Sequence, residues 1–170
     1  IHIGRQPRSP DNVRIWDVEK LESAAHFTSP HQPRSISWSP DDRLLAVADY
    51  GDACILWDVA SRRQLTDVVM KPAKCAAWHP THPQLAVGDG AGKCLIWDHR
   101  NQQATRQWKA HQGIVSDIKW NADGTRLLSS GADGMVKVWD AAHGTEMKSV
   151  SAHAGVGESV AWDPSGQQFA

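Results

Sequence analysis

Apolar and polar residues alternate in three short runs between residues 111 and 140, and two tight turns separate the runs. The runs contain, in order, Ile118, Leu128 and Val138. Such alternation is typical of a β-strand with one buried face. Both turns carry an Asp-Gly pair, at Asp123 and Asp133, where glycine tolerates the positive φ that closes a hairpin. The pattern therefore predicts a three-stranded antiparallel meander.

Trp-Asp pairs recur along the whole chain with nearly constant spacing. They begin at Trp16, Trp57, Trp97 and Trp139, which are 41, 40 and 42 residues apart. A second tryptophan series falls between them, at Trp38, Trp78, Trp120 and Trp162. Chance rarely produces two interleaved series with one period. The sequence therefore predicts a repeat array whose unit of roughly 40 residues contains four short strands.

These repeats resemble those of the WD-repeat β-propeller family, and the similarity covers essentially the whole chain. The resemblance implies an all-β fold of four-stranded antiparallel blades. It predicts a single propeller segment over residues 1–170, with about four blades, a cut within a blade at both ends and no second domain. It also implies a hydrogen-bonded tetrad in the best-preserved repeat, formed by His111, Ser129, Asp133 and Trp139.

The serine, histidine and aspartate of this tetrad also resemble the catalytic triad of a hydrolase. A buried histidine needs a carboxylate to hold its tautomer, and a buried indole N–H needs an acceptor. A structural network therefore accounts for all four residues, whereas a nucleophilic site has no need of the tryptophan. The second and third repeats carry small or apolar residues at the serine and aspartate positions: Val47, Gly51, Val87 and Ala91. We expect a plain apolar core there, because the network is removed as a set.

The overall charge excludes two classes of partner. The net charge is −1, with 18 basic and 19 acidic residues scattered along the chain, so nothing favours nucleic acid or an anionic membrane surface. No apolar run approaches the ~20 residues of a membrane-spanning helix.

Cys54 and Cys94 occupy the same position in successive repeats and are predicted to be small buried hydrophobes. Unpaired cysteines favour a cytoplasmic location.

Two further motifs invite a chemical interpretation that we reject. His79 and His82 have a metal-ligand spacing, but no third ligand is evident, so a solvated turn is the simpler interpretation and no metal is predicted. The glycine-rich run at residues 88–92 lies between two strands and is followed by no helix or Lys-Ser/Thr pair. It therefore lacks the context of a phosphate-binding loop.

The sequence contains no convergent nucleophile, metal set or nucleotide cradle. We therefore expect a non-catalytic protein-interaction scaffold or ligand-sensing module that needs no cofactor. The alternative is a regulatory propeller joined to an enzymatic signalling domain outside this chain, such as a kinase or signalling ATPase. Because an open propeller exposes apolar faces, we also expect missing blades or self-association to close the ring.

In the family that the sequence resembles, partners commonly bind the face formed by the loops before the first strand and after the second. Carried over by register, this face would comprise Gln32, Arg34, Tyr50, Lys74, Ile114, Ser116, Ala132 and Glu158. The residues six and four positions before the inner tryptophan, Ser116 among them, are predicted to be exposed. Arg34 and Tyr50 are the leading candidates, since arginine and tyrosine are favoured interface anchors. The alternative is that both are ordinary surface residues.

Overall fold

The computed structural model describes residues 13–49, 53–68, 72–152, 155 and 157–170. These residues form fourteen strands in four separate sheets. Sheet 1 contains β1 (Val13–Asp17) and β2 (Glu22–Phe27). Sheet 2 contains β3 (Pro33–Trp38), β4 (Leu44–Asp49), β5 (Cys54–Asp58) and β6 (Arg63–Val68). Sheet 3 contains β7 (Ala73–Trp78), β8 (Gln84–Asp89), β9 (Lys93–Asp98) and β10 (Gln103–Lys109). Sheet 4 contains β11 (Val115–Trp120), β12 (Arg126–Gly131), β13 (Met135–Asp140) and β14 (Thr145–Ser151).

Strands adjacent in sequence are also adjacent and antiparallel in every sheet. The predicted meander at residues 111–140 is confirmed and is completed by β14. Gly124 and Gly134 both have a φ of +74°, as the Asp-Gly turns require. In sheets 1, 2 and 4, the strand that carries the Trp-Asp pair changes register with the strand that follows it. The change falls beside the tryptophan, between Ile15 and Trp16, Leu56 and Trp57, and Val138 and Trp139. The repeated tryptophan therefore coincides with a repeated β-bulge.

Successive sheets pack face to face, and this packing sets the composition of the second strands. All six residues of β4 are buried, as are five of the six residues of β8. Strands covered on both faces need continuous apolar runs instead of alternation. Separate apolar clusters fill the spaces between sheets 1 and 2, 2 and 3, and 3 and 4, and between sheet 4 and residues 157–170. The all-β, blade-like fold that the repeats predicted is thereby confirmed.

The three cysteines belong to this packing. Cys54, Cys75 and Cys94 are free thiols buried in the core. Burial raises the pKa of Cys75 to about 12, so the thiol stays protonated and behaves as a small hydrophobe. The interpretation of Cys54 and Cys94 as buried hydrophobes therefore agrees with the structure.

The first strands of successive sheets are joined by hydrogen bonds as well as by apolar contact. In sheets 2 and 3, Ser37 Oγ accepts the backbone N–H of Trp78 at 2.9 Å. Trp120 Nε1 donates to the Ala77 carbonyl at 3.0 Å, and Trp162 Nε1 donates to the Lys119 carbonyl at 3.2 Å. Through their indoles, Trp120 and Trp162 of the second tryptophan series therefore each link one blade to the preceding one.

Residues near the two ends match the predicted repeats in part. Residues 157–170 lie against sheet 4, but their only pairing among the described residues is a single antiparallel bridge between Trp162 and Phe169. On β3, Ile36 is 50% exposed and Trp38 is 43% exposed. Residues 1–12 of the predicted propeller segment, and the predicted positions of Tyr50 and Gly51, lie outside the described residues.

Gly88 tests how tightly sheets 3 and 4 pack. A Cβ added at Gly88 would lie 2.6 Å from Val115 Cγ1 and 2.7 Å from Cys75 Sγ. Gly88→Ala should therefore lower the free energy of unfolding by about 1–3 kcal/mol through overpacking, measured by urea denaturation. Gly155→Ala is the control, since a Cβ there meets nothing within 4 Å. Equal denaturation midpoints for the two variants would contradict the packing described.

Candidate functional site

The structure brings the four predicted tetrad residues into one hydrogen-bonded chain. Trp139 Nε1 donates to Ser129 Oγ at 2.9 Å. Ser129 Oγ lies 2.7 Å from His111 Nε2, and His111 Nδ1 lies 2.9 Å from Asp133 Oδ1. Trp139, Ser129 and His111 are buried, so the set has no access for a substrate. The geometry therefore supports a network that fixes the blade and provides no nucleophilic site.

Every donor in this chain finds an acceptor only when the imidazole of His111 is neutral and carries its proton on Nδ1. Ser129 then donates to Nε2, and Nδ1–H donates to Asp133. Burial lowers the pKa of His111, although Asp133 opposes the shift. Burial also tends to raise the pKa of Asp133, but hydrogen bonds from the Gln112 N–H and His111 outweigh it, so this pKa is lowered. The tetrad is thus a neutral imidazole held by a carboxylate.

The expectation of a plain apolar core in sheets 2 and 3 is wrong in one respect. Val47 and Val87 are buried as expected, but the tryptophan of each network remains. Within the described residues, Trp57 Nε1 and Trp97 Nε1 are buried without a hydrogen-bond partner. Replacing serine by valine removed the acceptor and kept the donor, which carries a desolvation cost of about 1–3 kcal/mol. Each indole stays because its ring fills the core between sheets.

Four predicted interaction residues line a single cleft of about 580 Å³ at the edge where the first strands begin. They come from four successive repeats at the same register position: Arg34, Lys74, Ser116 and Glu158. Asp117 and Lys119 also line it. Arg34 and Glu158 are exposed and Lys74 is half-buried. The register thus places cationic side chains on sheets 2 and 3 and a carboxylate beyond sheet 4.

The remaining members of the predicted face differ in accessibility. Gln32 is exposed, whereas Ile114 and Ala132 are half-buried. Tyr50 lies outside the described residues, so its role stays a prediction. Ser116 was predicted to be exposed, and this is wrong: only 7% of it is accessible. Its neighbours Val115 and Asp117 are buried too, because β11 is covered by β7 on one side and by residues 157–160 on the other.

Asp117 is a buried acid that the sequence analysis missed. Its Oδ1 accepts Lys119 Nζ and the Ile118 N–H, each at 2.9 Å. Its Oδ2 accepts Ser159 Oγ at 3.0 Å and the Val160 N–H at 3.2 Å. Such hydrogen-bonded pairing makes burial of the charge tolerable. The register offered a signal, since Ser35 at the same position of sheet 2 accepts the Ala76 N–H at 3.2 Å.

Comparisons with known proteins agree with this geometry. A family model described as the IFT140 first beta-propeller matches residues 19–161. The chain belongs to this family. Among solved structures, a chain in the "Crystal Structure of Mitotic Checkpoint Complex" matches with a TM-score of 0.77 and 24% sequence identity. The match covers 88% of this chain and 47% of that one, so this chain spans about half its length. No curated protein is significantly similar in sequence.

At the opposite edge of this IFT140-type propeller, His79 corrects another expectation. The turn at residues 79–83 was predicted to be solvated, but only 4% of His79 is accessible. Its Nδ1 accepts the backbone N–H groups of Thr81 at 3.1 Å and His82 at 3.0 Å. Its ring lies 4.7 Å from the Trp120 ring. His79 therefore closes its own turn and contacts the next blade, as a neutral acceptor.

Neither a metal centre nor a membrane span is indicated by the part of the propeller that the structure describes. In that part, no group of three or more His, Cys, Asp or Glu side chains is arranged to hold a metal ion. The same residues include no helix of the length and hydropathy that a bilayer span requires.

Ser129 and Ser130 give a matched test of the tetrad in this propeller. Both are fully buried, but only Ser129 accepts Trp139, whereas Ser130 Oγ has no hydrogen-bond partner among the described residues. Ser129→Ala should lower the free energy of unfolding by about 1–3 kcal/mol, because it leaves an indole donor and a histidine unsatisfied. Ser130→Ala should leave the urea midpoint unchanged or slightly raised. A reversed order would contradict the tetrad.

Three histidines predict how the stability of the propeller depends on pH. Burial lowers the pKa of His79, His99 and His111 below the ordinary value of 6.5. As pH falls below 6.5, the unfolded chain binds protons before the folded one does, so the free energy of unfolding should decrease. Urea midpoints at pH 7.5, 6.5, 5.5 and 4.5 measure this.

The control variant replaces His79 by a residue that can still accept hydrogen bonds but does not titrate. Asn121 occupies the equivalent turn of sheet 4 and accepts the Arg126 N–H at 2.9 Å, so His79→Asn should keep an acceptor in the turn and abolish the titration. The variant should show a weaker dependence of the midpoint on pH. A wild-type midpoint that is constant between pH 7.5 and 5.5 would show that the buried imidazoles do not control acid stability.

Proposed function

We propose that this chain is a non-catalytic protein-interaction module whose partner binds the edge containing Arg34, Lys74 and Glu158. One observation carries the proposal: four successive repeats contribute side chains at one register position to the same cleft, which measures about 580 Å³. In a repeat protein the core residues are constrained by packing, whereas edge residues vary with little cost to the fold. A shared cleft of varied polar residues is suited to recognition of a partner.

The charges of the cleft support recognition by polar contacts. Asp117 is enclosed by Lys119 Nζ, Ser159 Oγ and two backbone N–H groups, so its carboxylate supports the cleft wall. Arg34 and Lys74 lie on one side of the cleft and Glu158 on the other. Opposite charges at two ends of one cleft would orient a bound segment as well as attract it.

The fold comparisons support an interaction role at the coarser level. A β-propeller is a rigid scaffold that presents loops, and the matched propeller was solved as part of a mitotic checkpoint complex. The match covers 47% of that chain, so the activity of the whole matched protein is not carried over to this one. The proposal therefore concerns this propeller segment alone.

We also propose a cytoplasmic location for the module. Its support is the chemistry of the three cysteines, which are unpaired and buried. Free thiols used as core hydrophobes are typical of proteins in reducing compartments.

Charge reversal tests the proposed surface. Affinity purification with the full-length protein should recover partners that bind the wild type but not the Arg34→Glu/Lys74→Glu double variant. Purified partner and calorimetry should then show at least a tenfold loss of affinity, with the thermal midpoint unchanged. Arg63→Glu/Lys148→Glu is the control, because it makes the same change of charge at exposed positions on outer strands.

Two results would contradict the proposal. Equal affinity of both double variants for every recovered partner would move the binding surface elsewhere. The interaction role itself would be contradicted if the full-length protein captured no partner through this segment. It would also be contradicted if the segment catalysed a reaction.

A further inference from the structure

The cleft at the edge where the first strands begin carries its charges in a fixed order. The strands lie side by side in chain order, since β7 contacts both β3 and β11, and the Val160 N–H bonds Asp117 of β11 at 3.2 Å. The equivalent positions in this order are Arg34, Lys74, Ser116 and Glu158. Two cations therefore come first, an uncharged residue lies in the middle and a carboxylate comes last.

Two further charges line the cleft and cancel each other. Lys119 Nζ donates to Asp117 Oδ1 at 2.9 Å. Asp117 is buried, and its two oxygens together accept four hydrogen bonds from the protein. This pair adds no net charge to the cleft. The electrostatic field that a ligand meets is therefore set by Arg34 and Lys74 on one side and by Glu158 on the other.

Ser116 separates the two charged ends of the cleft and suits a ligand in two ways. Its side chain is shorter than those of Arg34, Lys74 and Glu158, so it leaves space in the middle. Its hydroxyl is buried and has no hydrogen-bond partner among the described residues, although Ser116 lines the cleft. Rotation about χ1 between staggered rotamers can turn a serine hydroxyl towards a ligand. A ligand that bonds it would remove the cost of an unsatisfied buried group.

The order of charges indicates the chemistry of the ligand. A purely acidic ligand would meet Glu158, and a purely basic one would meet Arg34 and Lys74, and both arrangements place like charges together. A ligand that is acidic at one end and basic at the other matches both ends. An extended peptide can supply this pattern, and its backbone N–H and C=O groups can bond a hydroxyl between the two charges.

We propose that the cleft binds an extended segment of a protein partner that carries one acidic and one basic residue. The acidic residue contacts Arg34 and Lys74, the basic residue contacts Glu158, and the backbone between them bonds Ser116. This proposal rests on the proposed function and adds the chemistry and orientation of the bound segment. Each end of the cleft then selects the charge at one end of the segment.

Random peptides displayed on phage test the charge pattern without a known partner. Peptides selected on the folded chain are sorted by loss of binding to the Arg34→Glu/Lys74→Glu variant, which identifies those that bind the cleft. These peptides should contain an acidic and a basic residue. Replacing either residue by glutamine should weaken binding at least tenfold in calorimetry. Cleft-binding peptides with charges of one sign only would overturn the proposal.

Reversing the charge at one end of the cleft should reverse the residue that this end selects. Glu158→Lys should weaken the selected peptides at least tenfold, and replacing the basic residue of the peptide by glutamate should restore binding. Glu22→Lys is the control, since it makes the same change at an exposed position on the outer strand β2. A thermal melt checks that each variant is folded. Equal effects of the two variants would overturn the proposal.

Ser116→Ala and Ser130→Ala are a matched pair that tests the middle of the cleft. Both hydroxyls are buried without a hydrogen-bond partner among the described residues, but Ser116 lines the cleft and Ser130 lies on β12. Ser116→Ala should weaken the selected peptides at least threefold, whereas Ser130→Ala should leave their affinity unchanged. Neither change should lower the thermal midpoint. Equal affinity of the two variants would overturn the contact with Ser116.

The same variants separate this proposal from the proposed function. Peptides that need Arg34 and Lys74 but bind Glu158→Lys as tightly as the wild type would overturn the mixed-charge segment and leave the interaction surface in place. If no selected peptide depended on either end of the cleft, the segment and the interaction surface would both be contradicted.

Discussion

The fold depends on one constraint, which is that each four-stranded sheet must bury both of its faces against neighbouring sheets. This requirement explains why β4 carries a continuous apolar run from Leu44 to Ala48, and β8 one from Leu85 to Val87, instead of alternating. It also explains why small residues recur between sheets, since Gly88 leaves no space for a methyl group beside Val115. The buried tryptophans follow from the same constraint, because the rings of Trp57, Trp97 and Trp139 fill the spaces between one sheet and the next.

Hydrogen bonding refines this packing unequally along the chain. Sheet 4 satisfies its buried tryptophan through Ser129, His111 and Asp133. Sheets 2 and 3 keep the ring but provide no acceptor for it among the described residues. Since the buried apolar area of an indole is large, its packing is worth more than one hydrogen bond costs. In sheet 4 the Trp-Asp tryptophan therefore has the acceptor that its counterparts in sheets 2 and 3 lack.

Residues at the edges of the sheets do not have to pack between neighbouring sheets, and the repeats differ in sequence there. Equivalent positions hold Arg34, Lys74, Ser116 and Glu158 at one edge, and His99 and Ala141 at the other. Between the edges, buried residues such as Leu45, Leu85 and Leu127 recur at equivalent positions. Recognition properties are therefore located where substitution changes charge or volume without disturbing the packing of sheets. The two edges offer different chemistry, one charged and one aromatic.

The sequence by itself determined the repeat and the strand order, because these depend on local alternation, turn chemistry and regular spacing. The tetrad residues followed from the resemblance of the repeats to a known family. Tertiary structure decided burial at the edges of the strands. Ser116, predicted to be exposed, and His79, predicted to lie in a solvated turn, are both buried because a neighbouring blade covers them. The contact between the rings of His79 and Trp120 also needed the structure. Contacts between blades join residues about 40 positions apart, so local sequence patterns do not predict the distances between their side chains.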